Sequence, residues 1–169
     1  MLIHGNALHL PLRDESVQCV VTSPPYYGLR NYGVKGQLGL EKTYIEYVDA
    51  VVQIFRGVHR VLHKDGVLWL NIGASHASGK GTCHNPGGNT SSFNVHLKAQ
   101  NVHPLDRGNK STLAEIGLKP KDLTGIPWRV AFALQADGWW LRSDIIWAKP
   151  NPMPESVTDR REAMNICFC

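Results

Sequence analysis

Cysteine is too scarce and too scattered to organise this sequence. The four cysteines, Cys19, Cys83, Cys167 and Cys169, contain no CxxC pair. That argues against a disulfide framework or a zinc ribbon and fits a reducing compartment. No apolar run approaches the ~20 residues of a membrane-spanning helix. The opening stretch MLIHGNALHL has neither the basic start nor the small-residue cleavage site of a secretory signal. A soluble, cytoplasmic protein is therefore expected. Neither sign of charge dominates: 18 Lys and Arg stand against 14 Asp and Glu, a net charge of +4. Such a balance permits a polyanionic partner without requiring one. There is no internal repeat, and 169 residues suit one core rather than two.

The pattern that is present alternates between two periods. Leu2-Ile3 is a short candidate strand running into a turn-like His4-Gly5-Asn6-Ala7. Val17 to Thr22 (VQCVVT) is apolar and β-branched, and reads as a buried strand. From Thr43 the spacing becomes three and four, through Tyr44, Val48, Val51, Phe55, Val58 and Leu62. This predicts an amphipathic helix with Thr43 as N-cap and Lys64-Asp65-Gly66 as its stop. VLWLNI, residues 67 to 72, reads as a second buried strand. Thr124 to Asp137 reads as a helix, with Pro127 in its first turn and Gly138 just past its end. Trp140 to Trp147 reads as a third strand. Strand, helix, strand, helix, strand implies an α/β sheet with crossover helices.

Residues 74–118 break this rhythm with a Gly-, Asn-, Ser- and His-rich insertion far longer than an ordinary connection. Its SGKGT resembles a phosphate-binding loop but fails the requirement, because Ala74 and Gly81 stand where Gly and Ser or Thr are needed. His76, His84, His96, His103 and Cys83 have no zinc-ligand spacing, so no metal site is expected. The insertion and its continuation carry Lys80, Lys98, Arg107, Lys110, Lys119 and Lys121. These suit either a solvated loop or phosphate contact.

The chemistry concentrates in TSPPYYG, residues 22–28, at the end of the first long strand. Ligands of α/β sheets bind at the carboxyl ends of strands. A residue before proline is driven into extended geometry, so Ser23 and Pro24 should both be extended. Neither proline has an N–H, which leaves the Pro24 carbonyl a rigid acceptor beside the Ser23 hydroxyl. Tyr26 adds an aromatic face. Two acceptors and a flat ring suit a planar ligand with an exocyclic NH₂. The lone pair of such an amine is delocalised into its ring. Accepting both N–H groups favours a pyramidal nitrogen able to attack an electrophilic methyl group directly. Stacking on Tyr26 would add about 1–3 kcal/mol.

These residues resemble the catalytic motif of the amino-group DNA methyltransferases, which modify cytosine N4 or adenine N6. The resemblance runs through HGNAL, GLRNYG, GQLGLE, FRGVHRVLHKDGVLWLNIG and LKPKDLTGIPWRVAFALQADGWWLRSDIIWAKPNPMPESVTDR, across nearly all of residues 1 to 160. It resembles the phage and prophage branch of this group. It implies a Rossmann-like S-adenosylmethionine-dependent sheet with helices on both faces, and double-stranded DNA as partner. By motif position it assigns Ser23, Pro24, Pro25 and Tyr26 to catalysis on a flipped base. It assigns Asn6, Ala7 and Thr22 to the cofactor, and Tyr27, Trp147, Lys149 and Asn151, with Glu155, to the base pocket or DNA; Trp147 also reads as a core or rim filler, and the proline-rich AKPNPMPES equally as a stiff surface segment. Ser at the head of the motif favours cytosine N4 over adenine N6.

Two departures qualify the resemblance. Asn6 stands where the family usually has Asp. The Gly-rich cofactor loop that follows the catalytic half in this motif order is not present, and after Asp159 the chain reads RREAMNICFC, with Ile166, Cys167 and Phe168 as a strand stub. The expectation is a C-terminally truncated single domain, residues 1–169, whose incomplete sheet edge invites self-association. The alternatives are an adenine-N6 enzyme and a non-catalytic DNA-binding remnant. A methyltransferase for small molecules or protein side chains is disfavoured by the long basic insertion.

Overall fold

The computed structural model describes residues 2–77, 117–119 and 122–148, and the backbone of 164–168. Its elements in chain order are β1 (Val17–Thr22), α1 (Tyr44–Val61), β2 (Leu62–Ile72), α2 (Ile126–Ala136), β3 (Asp144–Ala148) and β4 (Met164–Phe168). They form a four-stranded sheet in the order β1-β2-β4-β3.

α1 forms where the spacing predicts it. Tyr44, Tyr47, Val48, Val51, Val52, Phe55, Val58 and Val61 make one buried stripe. Thr43 caps the helix, its Oγ1 accepting from the Glu46 N–H at 3.2 Å, while the Glu46 carboxylate accepts from the Lys42 N–H at 3.0 Å. Thr43→Ala is expected to lower stability by about 1 kcal/mol, read as a shifted midpoint in urea. The helix stops at Val61, earlier than Lys64-Asp65-Gly66. That triplet instead bulges from the start of β2, since Val17 pairs with Leu62 and Cys19 already pairs with Val67. A Cβ on Gly66 would lie 2.9 Å from the His63 carbonyl, so the bulge needs glycine there.

β1 and β2 are parallel, and α1 supplies the crossover such a pair requires. Along β2, Leu68, Leu70 and Ile72 point into the core, while Val67 and Trp69 on the other face are 42% and 39% exposed. α2 packs beside α1, and its Ile126, Val130, Ala131 and Leu134 join the same core cluster. Both described helices therefore cover one face of the sheet. The second-face layer expected from the sequence is not found among the described residues. Arg56 on α1 joins it to Asp137, just past the end of α2, its Nη2 and Nε both donating to Oδ1, at 2.6 and 2.9 Å. That hydrogen bond holds the Asp137 carboxyl below the usual carboxylate range.

Several local expectations change. Leu2-Ile3 is not a strand, and both residues are exposed. β1 forms where predicted but is not buried: Val21 is 78% exposed, because only alternate residues face the helices and no described layer covers the other face. The third strand begins at Asp144 rather than Trp140. The stub at 166–168 is a full strand partner: β4 lies between β2 and β3 and is antiparallel to both. The sheet is thus mixed rather than built only from crossovers. Most of the insertion at 74–118, its histidines apart from His76, and Lys149, Asn151 and Glu155 lie outside the described residues.

Candidate active site

The carboxyl end of β1 delivers Ser23 to the top of the sheet. The last ladder pair is Thr22 with Leu70, so Ser23 stands opposite Asn71, one step beyond. Alternation then sets Ser23 and Asn71 on the face away from the helices. Beyond Ser23 the two prolines carry the chain off the sheet. Tyr26 turns back so that its ring lies on the backbone of Gly73, where a Cβ would stand 2.6 Å from its Cε2.

Three side chains form a short relay at this point. Ser23 Oγ donates to Tyr26 Oη at 3.3 Å, and Tyr26 Oη donates to Asn71 Oδ1 at 3.0 Å. The two proline carbonyls differ. Pro25 accepts from Tyr47 Oη at 2.9 Å. Burial, followed by Glu41 and Tyr26, holds the Tyr47 hydroxyl above its usual range, so it remains a protonated donor. The Pro24 carbonyl accepts no hydrogen bond among the described residues.

Ser23, Pro24, Pro25, Tyr26, Leu29, Arg30 and Tyr32 line a cavity of about 290 Å³. This is at the small end of ligand pockets, roughly 300–1,000 Å³. Its outer wall is the loop after the motif, which Gln37 staples shut. The Gln37 side chain accepts from the Tyr32 N–H at 2.6 Å and donates to the Arg30 carbonyl at 2.9 Å. Gly39 clamps the base of that loop. It has φ +97°, a hypothetical Cβ would lie 2.8 Å from the Tyr26 carbonyl, and its own carbonyl accepts from Gly28 N–H at 2.9 Å. Glu41 accepts from the Gly39 N–H at 2.9 Å, while burial raises its carboxyl above the usual range.

The expected site residues therefore divide. Ser23, Pro24, Pro25 and Tyr26 share the cavity, and Thr22 ends the strand beneath them. Tyr27 does not line it: its side chain is 1% exposed and its ring lies 5.4 Å from that of Tyr47, inside the core. Asn6 and Ala7 are placed elsewhere along α1. The Ala7 carbonyl lies beside Gly57, and Arg60 holds the Leu10 and Leu12 carbonyls at 2.9 and 3.0 Å. Gly57 is ten residues beyond Tyr47, which at ~1.5 Å per residue is ~15 Å along the helix. The Asn6 side-chain oxygen accepts from the Leu8 N–H at 3.0 Å, closing its own turn. Trp147 is on β3 and 56% exposed. Sequence reasoning missed Asn71, Gly73, Tyr47, Arg30 and Tyr32. All but Tyr47 lie in GLRNYG and LNIG, stretches that carried the resemblance without any role assigned to their members.

Comparison with known proteins gives the family. A family model described as DNA methylase, for the N6 and N4 enzymes, matches residues 17–167. The type II methyltransferase M.XycI of Xanthomonas campestris pv. cyanopsidis is 52% identical over 161 residues, covering 94% of this chain and 49% of that protein. The type II methyltransferase M.Cfr9I of Citrobacter freundii is 50% identical over 161 residues, with the same coverage of 94% and 49%. The chain thus spans about half the length of the curated relatives it matches. Among solved structures, a Thermus thermophilus DNA modification methylase complexed with S-adenosyl-L-methionine has a TM-score of 0.57 at 17% identity, covering 97% of this chain and 49% of that one. The PvuII DNA methyltransferase (cytosine-N4-specific) has a TM-score of 0.56 at 17% identity, covering 97% and 46%. The fold is therefore the Rossmann-like one of these methyltransferases. With its strand-tip motif set in that fold and its sequence matched from β1 through β4, the chain belongs to the N6/N4 amino-group DNA methylase family.

Proposed function

We propose that this chain carries the base-binding and amine-activating half of a DNA methyltransferase that methylates cytosine at N4. The observation that carries the reading is that Ser23 and Pro24, whose carbonyl is unengaged among the described residues, line one cavity with Tyr26, to which the Ser23 hydroxyl donates. These acceptors would take the two N–H groups of an exocyclic amine on a base flipped from double-stranded DNA. The few kcal/mol that flipping costs would be offset by the pocket. Ser23 at the head of the motif favours cytosine over adenine. Arg30, on the rim, is suited to a flanking phosphate.

The methyl donor is S-adenosyl-L-methionine, which when bound supplies a methyl group on a positively charged sulfur. Of the residues assigned to it by motif position, Thr22 stands at the carboxyl end of the sheet. The Ala7 carbonyl lies beside Gly57 on α1, and the Asn6 side-chain oxygen accepts from the Leu8 N–H.

The test is to incubate the protein with DNA and labelled S-adenosyl-L-methionine, digest the DNA to nucleosides and identify the labelled one. N4-methylcytosine is expected. N6-methyladenine would overturn the choice of base. DNA binding without label would leave the non-catalytic reading, and calorimetry with the donor alone would then show whether donor binding is what is missing.

A further inference from the structure

We propose that Asn71 is a positioning residue that sets the direction of the protons in the Ser23–Tyr26 pair. This rests on the amino-methyltransferase reading. A hydroxyl carries one proton and two lone pairs, so Ser23 could meet a ligand either as donor or as acceptor. An amine about to be methylated needs an acceptor. A Ser23 proton aimed into the cavity would oppose one donor with another.

The relay removes that choice. The Asn71 side-chain oxygen has no proton to give, so at 3.0 Å it holds the proton of Tyr26 Oη. The Tyr26 oxygen can then offer Ser23 only a lone pair. Ser23 accordingly donates to it, at 3.3 Å, and both Ser23 lone pairs remain for the ligand. Without Asn71 the Tyr26 proton is free to turn toward Ser23, and the Ser23 proton is released toward the cavity. The parallel register sets up this geometry, because Thr22 opposite Leu70 puts Asn71 beside Ser23 on the same face of the sheet. Gly73, two residues on, lets the Tyr26 ring lie close enough to reach it.

The experiment compares Asn71→Leu, which removes the acceptor at similar size, Asn71→Asp, which keeps an acceptor, Tyr26→Phe, and the Asn71→Leu/Tyr26→Phe double variant. Asn71→Leu should lower kcat for methyl transfer by about tenfold, the scale of one hydrogen bond's net worth, with KM for DNA unchanged. Asn71→Asp should keep most of the activity. In the Tyr26→Phe background Asn71→Leu should have no further effect. An effect of Asn71→Leu that adds fully to that of Tyr26→Phe would overturn the proposal. So would a loss confined to KM, or an Asp variant as impaired as Leu. If the wild-type protein transfers no methyl group, the functional reading fails separately, and NMR still tests the wiring. The Asn71 side-chain amide resonance should move on Tyr26→Phe, and an unmoved resonance would refute the relay.

Discussion

Gly73→Ala is expected to reduce methyl transfer by about a hundredfold, the loss that a misplacement of ~1 Å can cause. The cause is steric and local. A Cβ at this position would stand 2.6 and 2.7 Å from Cε2 and Cδ2 of Tyr26, closer than carbon atoms can pack. Gly73 is buried at the exit of β2 and cannot retreat without disturbing Ile72, which is 0% exposed in the core. The ring must therefore swing outward. Doing so breaks the contact of Tyr26 Oη with Asn71 and its pairing with Ser23. Stability should also fall, by about 1–3 kcal/mol, the usual cost of overpacking. Initial-rate assays together with urea unfolding check both parts. An alanine variant with wild-type kcat and an unshifted midpoint would show that the ring does not rest on Gly73.

This dependence on Gly73 was not legible in the sequence. LNIG reads as the end of an apolar strand, and neither its asparagine nor its glycine shows any signal of a role. Their meaning comes from the register of β2 against β1, a pairing between residues 48 apart in the chain such as Thr22 with Leu70. By contrast α1 was legible almost residue by residue, because its stripe and its Thr43 cap are local. The strand-tip motif was legible for a similar reason, since proline constrains its own backbone and that of its neighbour wherever it sits.

Other differences follow the same division. β4 looked like a stub because five residues carry little periodicity, yet its ladders to β2 and β3 place it inside the sheet. Leu2-Ile3 had strand-like residues and no partner strand among the described residues. Tyr27 was assigned to the base pocket or DNA by motif position, and a single residue step at the turn sends the Tyr26 ring to the cavity and the Tyr27 ring against Tyr47. Asn6 was assigned by motif position, whereas the structure has its side chain closing a local turn. Local chemistry identified the motif; long-range register supplied the side chains that support it.

The substitution that bears most directly on the chemistry is Ser23→Ala. It should lower kcat by about 10²–10³, the scale for removing one preorganised hydrogen-bonding group aimed at a developing charge. Ser23 is exposed at the strand tip and contributes little to the core, so unfolding in urea should be nearly unchanged. The remaining wall stays in place. Pro25 is still held by Tyr47, and Tyr26 still bonds Asn71, so the ring and the Pro24 carbonyl keep their positions. DNA binding should therefore survive, measured as an unchanged dissociation constant in a titration. One acceptor can hold an amine, but it engages only one N–H, and the nitrogen lone pair stays conjugated with the ring. The expected signature is thus a loss in kcat with binding intact. A variant that binds more weakly but turns over normally would place Ser23 in DNA binding rather than in activation of the amine.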